Sequence, residues 1–85
     1  MVWTETTYDN LVSQTKTLVV DLGCLVARDC KLGNDITLNL DLLLYALNLL
    51  NGLKYGVLIY QDGHLDYINE QVQIMYHRCR KYRTV

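Results

Sequence analysis

Proline and phenylalanine are both absent from the 85 residues, and cysteine occurs only three times. The lack of proline removes the residue that most often breaks a helix, so long helices are allowed. Three cysteines are few, and an odd number cannot all pair, so a disulfide framework is not expected. The first ten residues, MVWTETTYDN, have neither the basic nor the apolar region of a secretion signal. We therefore expect an unsecreted protein in a reducing compartment.

A strong charge of one sign is also missing, because eight basic and nine acidic residues leave a net charge of −1. This balance excludes a strong field around the whole protein. The basic residues are nevertheless unevenly distributed. Residues 76–85 contain no acidic residue and half of the basic ones, namely Arg78, Arg80, Lys81 and Arg83.

Apolar residues are plentiful for so short a chain, at 51%. A protein of this mass hides roughly 64% of its unfolded surface, so its core is modest. Apolar surface left outside such a core usually marks an interface. The apolar runs are too short and too often interrupted, by Asp41, Asn48 and Asn51, to predict a membrane span. We expect a single small domain over residues 1–85.

The first predicted helix covers about residues 8–31 and repeats a Leu-Val pair every seven residues. Thr7 or Asp9 is expected to cap its start, and Gly33-Asn34 to end it. If the leucines of this repeat formed the interface of a coiled coil, the other interface positions would be Thr15, Leu22 and Asp29. Two of these three are polar, which argues against a free-standing coiled coil. The pattern favours a bundle helix that packs within its own chain. A strand over residues 17–23 is the alternative, because β-branched residues occur there.

The second predicted helix, residues 38–52, is surrounded by leucine over most of its circumference. Such a helix lies at the centre of a protein or is shared with another chain. Apolar and polar residues alternate over 36–42, so the first half could instead be a strand. Asn51-Gly52 is the expected end of this helix.

A third helix is predicted over residues 65–82 from apolar residues at alternating spacings of three and four. Asp62-Gly63 is also a hairpin signal, so a short β-hairpin around residues 56–68 is an alternative. Taken together, the patterns predict a mainly α fold, a small three-helix bundle-like domain.

The arrangements that catalysis or metal binding requires are missing. The candidate metal ligands, Cys24, Cys30, Cys79, His64 and His77, do not occur in the close pairs of a structural zinc site. We expect the thiols to be buried and inert. Asp62, His64 and Asp66 cluster near a turn, where such residues are more often helix caps than catalysts. We expect no enzymatic activity, no metal and no cofactor.

The excess of leucine therefore predicts a non-enzymatic structural, assembly or adaptor protein that binds a protein partner or oligomerises with itself. By analogy with small ring-forming connectors, a virion component is one such role. The predicted interface consists of leucines from the first two helices: Leu11, Leu18, Leu25, Leu40, Leu43, Leu44, Leu47 and Leu50.

The alternative function is a small DNA- or RNA-binding regulator. Arg78, Arg80, Lys81 and Arg83, interleaved with tyrosine, could contact phosphates and stack on bases. The same four residues could instead meet an acidic partner, such as the edge formed by Asp35 and Asp41 in a second copy. A head-to-tail contact of that kind would build rings or filaments.

Overall fold

The computed structural model contains three helices: α1 (Glu5–Leu32), α2 (Thr37–Tyr55) and α3 (Asp62–Arg83). It describes residues 3–55 and 62–83, and within α3 the side chains of 62, 63 and 80–83 fall outside that description. No strand occurs in the two described ranges, which confirms the mainly α, three-helix prediction. Residues 17–23 and 36–42 do not form strands. Residues 62–68 belong to α3 and not to a hairpin, and residues 56–61 lie outside the described residues.

The start of α1 is set by a reciprocal pair of threonines. The Thr4 hydroxyl accepts a hydrogen bond from the backbone amide of Thr7 (3.2 Å), and the Thr7 hydroxyl accepts one from the amide of Thr4 (2.7 Å). Thr4 is therefore the N-cap of a capping box, and the prediction that Thr7 or Asp9 capped the helix was wrong. The cap was missed because threonine here takes the place that glutamate or glutamine usually holds in this motif.

The turn between α1 and α2 ends the first helix where the sequence predicted. Gly33 adopts the left-handed conformation, with φ of 73°, and the Asn34 amide donates to the Asp29 carbonyl (2.8 Å). Asp35 then accepts hydrogen bonds from the hydroxyl (2.7 Å) and the amide (2.9 Å) of Thr37. These two bonds, the hydroxyl one first, hold the pKa of Asp35 below its ordinary value. The turn thus begins α2 as well as ending α1.

The second helix continues beyond Asn51-Gly52 and ends its described part at Tyr55, so the predicted end at these two residues was wrong. Its last turns are held by packing, because Leu53 lies in the core and the Tyr8 hydroxyl of α1 donates to the Leu53 carbonyl. Burial of a leucine outweighs the cost of about 1 kcal/mol for a glycine inside a helix.

Replacement by alanine should change stability in opposite directions at Gly23, inside α1, and at Gly33, its C-cap. Gly23 lies inside the helix with nothing within 4 Å of an added Cβ, so Gly23→Ala should stabilise the protein by about 0.5–1 kcal/mol. Gly33→Ala should destabilise it by about 1–2 kcal/mol, because alanine is strained at positive φ. Thermal unfolding of both variants measures this, and equal effects would contradict the cap geometry.

The core lies where α1 packs against the other two helices, and α2 and α3 meet each other only slightly. Thr15 is fully buried on α1, where its hydroxyl donates to the Leu11 carbonyl (2.8 Å), so it remains hydrogen-bonded. The buried apolar residues come from all three helices: Leu11, Leu18, Leu22, Leu25, Ala46, Leu53, Leu65, Ile68, Val72, Met75 and Cys79.

This arrangement leaves an elongated protein with much exposed surface. The radius of gyration is 13.7 Å, whereas about 12 Å is typical for a chain of this length. The accessible surface is 5767 Å², against about 5,200 Å² expected from the mass. Exposed apolar side chains of α2, among them Leu38, Leu40 and Leu44, contribute to this surface.

Candidate protein-interaction surface

Three of the predicted interface leucines lie inside the protein. Leu11, Leu18 and Leu25 belong to the core, and Leu18 has no exposed surface at all. The valine that follows each of them is half-buried at the edge of the core. The seven-residue repeat of α1 is therefore the packing face of a bundle helix. These three leucines offer no surface to a partner in this fold, and the candidate interface is reduced to α2.

The leucines of α2 have a different environment, because α2 buries only Ala46, Gly52 and Leu53. Leu44 is 52% exposed and Leu40 is 36% exposed. The remaining predicted members on this helix, Leu43, Leu47 and Leu50, are half-buried. Leu47 and Leu50 do not belong to the half-buried residues that pack against the core, whereas Leu43 does.

Four residues of α2 that are exposed or half-buried form one row along the helix. Leu40, Leu44, Leu47 and Asn51 follow spacings of four, three and four, which keeps them on one side of a helix with 3.6 residues per turn. We call this row the leucine seam. It is turned by more than a quarter of the circumference from Ala46, the most deeply buried residue of the helix. No charged side chain interrupts it.

The two borders of the leucine seam differ in chemistry. On the side towards the core it is bordered by Leu43 and Leu50, both half-buried. On the opposite side it is bordered by Asp41 and Asn48, both exposed. One border is therefore apolar along its length and the other is polar.

The side of α2 beyond the polar border faces α3 through a pair of tyrosines. Partial burial raises the pKa of the Tyr45 hydroxyl, and a hydrogen bond with Tyr67 of α3 raises it further. Leu38 lies on the same flank and is exposed. This contact orients α2 but leaves the leucine seam uncovered.

A polar groove of about 280 Å³ lies between α1 and α3, away from the seam. The Trp3 indole donates to the Asp66 carboxylate across its end (2.8 Å), and the Gln73 amide donates to the Gln14 side chain. Asp66 therefore holds Trp3, just before α1, against α3, whereas His64 is exposed. Carboxamides spaced four apart, such as Asn10 and Gln14, were a signal for this groove that sequence reasoning missed.

The basic end of the chain lies on the last turns of α3. Arg78 is exposed. Arg80, Lys81 and Arg83 are on the same helix, but their side chains lie outside the described residues.

The thiols are not all buried as expected, because Cys24 and Cys30 are exposed and only Cys79 is buried. Among the side chains that the structure describes, no group of three or more metal-binding residues comes together. Within residues 3–55 and 62–83, no helix combines the length and the apolar content needed to cross a membrane.

Comparison with known proteins does not add to this description. No protein-family profile, no curated protein and no solved structure is detectably similar to the chain.

Proposed function

We propose that this protein is a non-enzymatic interaction protein that binds a protein partner through the leucine seam of α2. The observation that carries the proposal is the exposure of Leu40 and Leu44 beside a core that is filled by other residues. Singly scattered exposed leucines are normal on a protein surface. Here they are neighbours in one uncharged row with a leucine border, and contiguous patches of that kind mark binding surfaces.

Burial of the seam would be favourable because water is removed from apolar side chains. Fully burying one leucine contributes about 1.5–3 kcal/mol, so two or three partly exposed leucines supply a useful part of a binding free energy. The polar border of Asp41 and Asn48 then suits the rim of an interface, where side chains remain in contact with water.

The test compares a double variant in the leucine seam with a matched double variant elsewhere on the surface. Leu44→Glu with Leu47→Glu puts two charges in the seam. Val20→Glu with Ile74→Glu puts the same two charges on apolar residues that are exposed on α1 and α3. Chemical cross-linking of the purified protein, and of the tagged protein in expressing cells, reports its complexes. We expect the seam variant to lose cross-linked species that the wild type and the matched variant retain.

Circular dichroism should show unchanged helicity in both double variants, because none of the four positions is fully buried. Cross-linking that persists in the seam variant would contradict the proposal. Replacing Arg78, Arg80, Lys81 and Arg83 with alanine provides the second control. Loss of the complexes only in that variant, together with a steep dependence on salt, would transfer the function to the basic end of α3.

A further inference from the structure

We propose that the partner of the leucine seam is a second copy of this chain, and that the two α2 helices pack antiparallel about a two-fold axis. The inference rests on the proposed function, since it names the partner of the same surface. The order of side chains across α2 suits one mode of pairing.

The borders of the leucine seam distinguish the two possible directions. In a parallel pair of helices, the apolar border of one seam faces the polar border of its partner. Leu43 and Leu50 would then lie against the exposed Asn48 and Tyr55. In an antiparallel pair, the apolar border faces the apolar border of the partner, and the polar border faces the polar border. Leucine then meets leucine, and polar residue meets polar residue.

The register follows from the spacing within the seam. We place Leu44 opposite Leu47 of the partner subunit. The two-fold axis then passes between two identical pairs of these leucines at the centre of the interface. The same register brings Leu43 beside Leu50 of the partner subunit on the apolar border. On the polar border it brings Asp41 beside Asn48 of the partner subunit, whose amide can donate to the carboxylate. Leu40 and Asn51 then meet at the two ends, where Asn51 is exposed to water.

Charge and dipole agree with this direction. The exposed carboxylate of Asp35 lies just before α2 and that of Asp41 in its second turn, whereas the last turn carries Lys54. An antiparallel pair places the acidic end of one helix along the basic end of the other, whereas a parallel pair places like charges together. Antiparallel helix dipoles also oppose each other favourably. A contact that is the same on both copies closes as a two-fold dimer and does not extend into a filament.

The first experiment is the molar mass of the purified wild-type protein by light scattering after size exclusion, over a range of concentrations. We expect a dimer of twice the 9.9 kDa of one chain. Leu44→Glu with Leu47→Glu should raise the dimer dissociation constant at least about 100-fold, because charges would enter the centre of the interface. Val20→Glu with Ile74→Glu should leave the dimer intact. A wild-type monomer at all concentrations would overturn the inference, as would a dimer that survives the seam variant.

The direction of the helices is tested by a distance between spin labels. Tyr55→Cys places one label at the exposed end of α2, in a protein in which the exposed Cys24 and Cys30 are replaced by serine. In the antiparallel register the two labelled positions are separated by about 28 Å along the helix axes, at 1.5 Å per residue. In a parallel pair they would lie side by side, about 10 Å apart. The short distance would overturn the antiparallel pairing.

Failure of this inference and failure of the proposed function give different results. If the purified protein is monomeric but seam-dependent cross-links to another protein form in cells, the second copy is the wrong partner and the seam remains a binding surface. If neither purified protein nor cells give a seam-dependent complex, both proposals fail.

Discussion

Replacing Leu18 with alanine should lower the free energy of unfolding by about 2–5 kcal/mol, the range observed for leucine removed from a protein core. Leu18 lies near the middle of α1, has no exposed surface and belongs to the core cluster that unites the three helices. A chain of 85 residues has a small core and correspondingly limited stability. We therefore expect this variant to be partly unfolded at moderate temperature, as measured by chemical and thermal denaturation.

Val20→Ala is the matched control for this prediction. Val20 lies two residues away on the same helix but is 63% exposed, so its truncation should change the free energy of unfolding by no more than about 0.5 kcal/mol. Similar losses in the two variants would show that the core does not lie on the Leu11–Leu18–Leu25 face of α1.

Replacing Asp29 with alanine should cost about 1–3 kcal/mol, because the amide that it pairs with would lose its acceptor. Asp29 is only 7% exposed near the end of α1, and its Oδ2 accepts a hydrogen bond from the Asn39 side chain of α2 (3.0 Å). The Arg28 guanidinium lies 3.4 Å from the other carboxylate oxygen. This half-buried contact joins the two helices beside their connecting turn.

A double-mutant cycle separates the Asp29 contact from the general effects of each change. If the two side chains interact as described, Asp29→Ala combined with Asn39→Ala should cost less than the sum of the single variants. Asn48→Ala, at an exposed asparagine of the same helix, should add its small effect independently. Additive costs for Asp29 and Asn39 would contradict the hydrogen bond between them.

The periodicity of apolar residues was enough to predict the three helices and most of the core. On α3 the spacing identified six residues: Leu65, Ile68, Val72, Met75 and Cys79 are buried, and the side chain of Tyr82 lies outside the described residues. Helix ends were less predictable, because they depend on contacts beyond the local sequence. Thr7 has the side chain of an N-cap, but Thr4 occupies that position, and α2 passes Gly52 because Leu53 packs in the core.

The candidate site shows the same division. The excess of leucine on α2 was visible in the sequence, but which leucines remain exposed was not. Leu18 and Leu44 have the same side chain and both lie on helices rich in apolar residues, yet one is buried and the other is half exposed.

The sequence by itself thus determined that the chain forms three amphipathic or leucine-rich helices, because residue spacing decides which side chains share a helix face. Only the tertiary structure decided which faces are covered. With α1 packed against both neighbours and α2 and α3 barely touching, Leu40 and Leu44 on one side of α2 remain exposed in the part of the chain that the structure describes. The leucine seam is exposed for that reason, which depends on how the helices are placed and not on the residues of α2 alone.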